Sequence, residues 1–185
     1  MAHVTFMRWR YMKIKSKTII IAVFLIIPLI LFSSSYISFR SQKINNEHLE
    51  SFKNKLMTTI QQKSYFDIKN ITPFEWDRMY VILPYTSRTE MQKIVGTKWT
   101  TADTYIGYLI FDKTWLGEHP LDDDIFHKLV FVKDNKVVLD VTLNRGDADF
   151  TQINSPVIND NVLFDIDKTD GRNIIKISNS TFAGQ

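Results

Sequence analysis

Hydrophobic and polar positions follow three regimes along the chain. The first is an unbroken apolar run from Thr18 to Phe39, 22 residues without a charge, preceded by Lys13, Lys15 and Lys17 and closed by Arg40. As a helix rising about 1.5 Å per residue, such a run is about 33 Å long, enough to cross a hydrocarbon core of roughly 30 Å. Pro28 is compatible with that reading, because a lipid-embedded helix absorbs a local break more readily than it unfolds. The second regime has a period near four. Ile44, His48, Phe52, Leu56 and Ile60, with Leu49 alongside, form one largely apolar face and predict an amphipathic helix continuing from the span over residues 40–63.

The third regime is mostly strand. Ile71-Thr72-Pro73-Phe74 reads as a turn, and Trp76 to Leu83 as a strand stopped by Pro84. Ser87 and Glu90 are spaced as a capping box. They open a short helix with Met91, Ile94 and Val95 on its buried face, Gly96 at its end and Trp99 covering it. Tyr105 to Phe111 is expected to be a strand, followed by a loop from Asp112 to Asp124. Phe126–Val132 and Val137–Leu143 flank Lys133-Asp134-Asn135-Lys136 as a hairpin. Asn144 to Pro156 is polar and is expected to be a loop. A second hairpin, Val162–Ile166 with Asn173–Ser178, turns through Gly171, and Thr181–Gln185 should fray.

The pattern predicts an α+β fold: one N-terminal transmembrane helix, then about five antiparallel strands with one short and one longer helix. Its expected parts are a cytoplasmic basic tail (1–17), a transmembrane signal-anchor (18–39) and a juxtamembrane amphipathic helix (40–63). An extracytoplasmic domain (64–180) and a frayed end (181–185) follow. A rival reading takes Met12–Ser35 as a cleaved secretory signal, with 14 apolar residues and small Ser33 and Ser35 at the cleavage site. Tyr36, Ile37 and Phe39 carry the apolar character past the serines and favour an uncleaved anchor.

Charge changes the picture only when it is divided. Residues 1–40 hold six of the 23 Lys and Arg and none of the 20 Asp and Glu, which leaves 17 basic against 20 acidic groups beyond them. The basic excess therefore reports membrane topology rather than a phosphate-binding surface, and a nucleic-acid partner is not expected. By the positive-inside rule, Arg8, Arg10, Lys13, Lys15 and Lys17 keep the N-terminus in the cytoplasm. Cysteine is absent, which removes disulfides, thiolate zinc sites, thiol nucleophiles and a lipidated cysteine together.

Candidate chemistry is sparse. His119, Asp122, Asp123, Asp124 and His127 fall within nine residues, but no spacing sets two ligands on one face. In a strand, His127 joins the apolar side of Leu129 and Phe131. Asp165 to Gly171 only partly resembles a calcium loop, with its glycine one place late and Lys176 where the twelfth-position glutamate belongs. Neither a metal nor a cofactor is expected. No nucleophile motif appears, and the carboxylates Asp147 and Asp149 sit beside Arg145 in a polar turn. The candidate binding residues are Trp76, Asp77, Tyr85, Trp99, Arg145, Asp147 and Asp149, large amphipathic anchors and a charged cluster rather than a catalytic set.

The run Phe74-Glu75-Trp76-Asp77-Arg78-Met79-Tyr80-Val81, then Pro84-Tyr85-Thr86-Ser87, then Ile94-Val95-Gly96 and Trp99, resembles a family of small bacterial envelope proteins. Members carry an N-terminal anchor or lipoprotein signal and the pattern F-x-W-D-x-x-Y-V-x-x-P-Y-T, with a later hairpin like Phe131–Val138 and a segment like Arg145–Phe150. The resemblance spans about residues 71–150 and implies fold and location more than an activity. A looser likeness in size and layout is to membrane-anchored immunity proteins that neutralise toxins.

The expectation is a single-pass protein of the inner membrane that touches lipid through residues 18–39 and binds a protein partner in the envelope, with no enzymatic activity. The alternatives are an envelope enzyme acting on peptidoglycan or lipid, and a structural subunit of a membrane complex.

Overall fold

The computed structural model of the chain describes residues 2–160, 162–169 and 171–178, with side chains from Ile19 onward. The expected fraying of Thr181–Gln185 and the Asp170 of the calcium-like loop lie outside the described residues. The chain divides into two compact units, Met1–Ser41 and Gln42–Gln185.

The first unit is one helix, α1 (Ala2–Gln42), so the basic tail is helical as well. Its segment Ile19–Gln42 has a mean hydropathy of 2.5, and apart from the buried Phe39 its large apolar side chains are exposed, among them Phe24, Leu25, Leu29 and Leu31. It is long and apolar enough to cross a membrane.

The second unit is α+β, with helices α2 (Leu49–Gln62), α3 (Ile68–Ile71), α4 (Arg88–Val95) and α5 (Tyr105–Phe111), and a 3₁₀ turn at Trp115–Gly117. Its strands are β1 (Tyr65–Asp67), β2 (Arg78–Ile82), β3 (Phe126–Lys133), β4 (Lys136–Asn144), β5 (Val157–Ile158), β6 (Leu163–Thr169) and β7 (Arg172–Ile177). They form two antiparallel sheets, β4-β3-β2-β5 and β1-β6-β7, rather than the single set of about five strands that the pattern suggests.

The larger sheet is buried on both faces, and the period of two sorts its side chains between two cores. Met79, Val81, Leu129, Phe131, Leu139, Val141 and Leu143 face the main core, which α2 closes with Phe52, Leu56 and Ile60 and the smaller sheet with Phe66, Phe164, Ile166 and Ile175. Phe131 is the hub, with the rings of Phe52, Phe74 and Trp76 at 5.2, 5.3 and 5.4 Å in edge-on contacts. Tyr80, Ile82, Val130, Val132 and Val137 face a second core built by Met91 and Val95 of α4, Trp99 and Leu121. The β3–β4 turn is the expected one: Asp134 and Asn135 both take positive φ, 48° and 59°, the signature of a two-residue hairpin loop. Gly171 supplies the left-handed turn of β6–β7 at φ 74°.

Three expectations are corrected. The helix over residues 40–63 is not continuous. It breaks at Lys43–His48, where Lys43 pairs with Thr100 and Asn46 turns left-handed at φ 51°. The Asn46 side chain there bonds both backbone groups of Asp140, at 2.9 and 3.0 Å. Tyr105–Phe111 is a helix, because Thr104 accepts the Gly107 N–H at 3.1 Å as an N-cap and Tyr108 buries inward. Ile94 is exposed, leaving Met91 and Val95 as the buried face of α4. Residues 145–156 form the loop that the pattern predicts, but one pinned to the fold, with Ala148, Asp149, Phe150 and Ile153 buried and Asp149 bridged to Ile174 of β7.

Candidate binding surface

The candidate residues of the sequence separate into four places. Trp76 and Asp77 lock the β3–β4 turn onto the main core. The buried Trp76 ring donates to Thr72 Oγ1 at 3.1 Å, while Asp77 accepts from Lys133 Nζ at 3.0 Å and from the Asp134 N–H at 2.8 Å. The Asp134 N–H and then the Lys133 ammonium hold the Asp77 carboxyl below its usual range. Arg145 and Asp149 form an ion pair at 3.1 Å. Asp149 also accepts from the Thr151 N–H and hydroxyl, and Asp147 is exposed on the turn between. Burial alone would raise the Asp149 pKa, but the Thr151 and Arg145 hydrogen bonds outweigh it and leave the carboxyl below its ordinary value.

Trp99 lies in the second core within a buried polar network. Its ring N–H donates to Asp140 Oδ2 at 2.8 Å, and Lys128 Nζ pairs with Asp140 Oδ1 at 2.7 Å. With Arg88, Gln92 and Pro120 these residues line a small cavity of about 70 Å³. Removing either partner of such a pair strands a buried charge, at a cost of about 3–5 kcal/mol. Arg88 is committed elsewhere: its Nη1 pairs with Asp112 and its Nε donates to the Gly117 carbonyl at 2.9 Å. Burial pulls its pKa down, opposed by the Asp140 and Glu118 carboxylates. The cations and carboxylates of this cluster thus compensate one another within the fold.

Tyr85 alone among the seven presents a large side chain to solvent, at 63% exposure. It follows Pro84 at the end of β2 and takes φ 61°, a left-handed conformation that a bulky residue adopts only when its surroundings impose it. The imposing contacts are the Tyr85 N–H to the Leu121 carbonyl at 2.8 Å, and the Leu83 carbonyl, which accepts the Thr86 hydroxyl at 2.8 Å. The residue lines an open groove of about 590 Å³ together with Leu83, Pro84, Thr86, Glu90, Lys93 and Ile94. Leu83 and Ile94, absent from the expected site, are exposed there. Their signal in the sequence was one of excess, since Ile94 is a third apolar residue on a helix that needed only Met91 and Val95 for its core. No group of three His, Asp or Glu side chains able to hold a metal ion occurs among the described residues.

No family model, curated protein or solved structure matches the chain.

Proposed function

We propose that the chain is a single-pass membrane protein whose α+β unit stands on the non-cytoplasmic side of a bacterial inner membrane and binds a protein partner through the groove at Tyr85. The observation that carries this reading is Tyr85 itself, an exposed aromatic side chain on a left-handed backbone, lining a groove whose exposed lining also includes Leu83 and Ile94. Tyrosine is enriched among the residues that dominate binding energy, because it offers a wide apolar area with little rotamer freedom to lose. Glu90 and Lys93 place one charge of each sign in the groove's lining, a basis for choosing among partners. A membrane-anchored immunity factor, holding an incoming toxin near the bilayer, fits this arrangement, since a tether raises the effective concentration of the binder at that surface.

The orientation rests on five Lys and Arg before the apolar segment against Arg40 and Lys43 just after it. The test is affinity capture of the intact protein from native membranes, beside its Tyr85→Ser variant. Loss of a central aromatic anchor costs about 2 kcal/mol, so recovery of the partner should fall about thirtyfold in affinity. Undiminished capture by the variant would move the binding surface elsewhere.

A further inference from the structure

A second exposed apolar surface lies on α5 and the 3₁₀ turn after it. Ile106, Ile110, Phe111, Trp115 and Leu116 all point to solvent, with Trp115 at 82% and Ile106 at 69% exposure. These residues project from a braced platform rather than a loose loop. Asp112, which ends α5, is held by Arg88 and by the Thr100 hydroxyl at 2.5 Å, and Arg88 also grips the Gly117 carbonyl. Thr114 caps the turn and bonds back to the Ile110 carbonyl, while Glu118 accepts the Thr89 N–H at 3.2 Å. A fold that commits a largely buried ion pair and several hydrogen bonds to hold five apolar side chains outward presents them to something apolar.

The chain path says what that is. Residues 100–103, which lead into α5, are sewn to residues 42–44: the Thr100 N–H donates to the Gln42 carbonyl at 2.8 Å and the Ile44 N–H to the Thr100 carbonyl at 3.1 Å. Lys43 Nζ adds a bond to the Asp103 carbonyl at 2.7 Å. Gln42 is the last residue of the candidate span, so α5 starts within a few residues, by hydrogen-bonded contact, of the place where the chain would leave the hydrocarbon. α5 itself is only about 10 Å long. Tryptophan, with Phe, Ile and Leu beside it, is the composition that settles at the boundary of headgroups and acyl chains.

We propose that Ile106, Ile110, Phe111, Trp115 and Leu116 form a second membrane contact, inserting into the lipid interface on the side where the span emerges and fixing the α+β unit against the bilayer. This rests on the reading that Ile19–Gln42 is inserted. The absence of cysteine makes the test direct, because single-cysteine variants of the full chain can each carry one nitroxide. Leu116→Cys reports on the patch, Ile26→Cys on the span and Lys136→Cys on the exposed β3–β4 turn. Each is reconstituted in vesicles of phosphatidylethanolamine and phosphatidylglycerol and measured for collision with oxygen and with a water-soluble nickel chelate.

The labels at positions 26 and 116 should both favour oxygen, with nickel accessibility at least fivefold below that at position 136. A lipid-exposed label at 26 with a nickel-accessible label at 116 overturns the proposal and leaves the span standing. A nickel-accessible label at 26 overturns both. Shielding of 116 from both reagents overturns it in favour of a protein covering the patch.

Discussion

His127 shows how one side chain ties the fold to pH. On β3 it points with Leu129 and Phe131 into the main core, where it is fully buried; its Nε2 accepts the Phe150 N–H at 3.4 Å and its Nδ1 has no hydrogen-bond partner among the described residues. Burial lowers its pKa from 6.5 to about 4; Asp149 opposes the shift and Arg145 reinforces it. The folded chain therefore keeps the ring neutral while the unfolded chain takes a proton below about pH 6.5. Stability is full above that pH, falls as pH drops toward 4 and then levels, by at most on the order of 3 kcal/mol. Urea unfolding of the full chain in detergent, between pH 6.5 and 5, should show the midpoint falling with acidity. His127→Phe should be less stable at every pH, since the Phe150 N–H loses its acceptor, but should lack that slope. An unchanged slope in the variant would place the titration on another group. The apolar placement of His127 was legible in advance, because a period of two needs only the strand to be right. The packing of Trp99 over α4 was legible too, but the full burial of Trp76 was not, because an aromatic ring reads alike in a core and on a surface until its neighbours are known.

At the scale of elements, what was legible depended on how far apart in sequence the deciding contacts lie. The α4 capping box is complete within four residues, with Ser87 and Glu90 bonded to each other's backbone N–H, and it appears where the spacing put it. Tyr105–Phe111 has the aromatic and branched residues of a strand; its Thr104 cap is local, but its end is fixed from afar, where Asp112 is secured by Arg88, 24 positions earlier, and by Thr100. The break before α2 likewise depends on Asn46 reaching Asp140, 94 residues on. The α5 platform also depends on backbone proximity. A Cβ on Gly117 would overlap the Phe111 carbonyl oxygen, whereas one on Gly96 would meet nothing, although Gly96 holds φ 78°. Gly117→Ala must displace the turn and loosen the Arg88 bond to its carbonyl, a destabilisation of about 1–3 kcal/mol. Gly96→Ala meets only the left-handed backbone penalty of about 1 kcal/mol. Urea midpoints of the two variants should rank Gly117→Ala as the less stable, and the reverse order would mean that the turn is not packed on α5.

For the whole molecule, the α+β class followed from the change of period along the chain. The division into two sheets did not, because β1 and β5 have three and two residues and so carry no period of their own. The apolar N-terminal helix is the opposite case, since 22 uncharged residues announce themselves without any tertiary contact. Its direction is an electrostatic question. Three lysines, Lys13, Lys15 and Lys17, lie within six residues of Ile19, against Arg40 and Lys43 at the far end, and the rest of the chain is mildly acidic. Translocating the basic end is the costlier choice, so the α+β unit should cross. In right-side-out cells, an impermeant maleimide should label Lys136→Cys directly and Ala2→Cys only after the membrane is opened. Replacing Lys13, Lys15 and Lys17 with Gln removes most of the bias and should produce a mixed population, with part of Ala2→Cys labelled from outside. Labelling of Ala2→Cys alone in intact cells would put the Tyr85 groove in the cytoplasm and exclude an envelope partner, whereas the α5 patch, which needs only the lipid surface beside the span, would be unaffected.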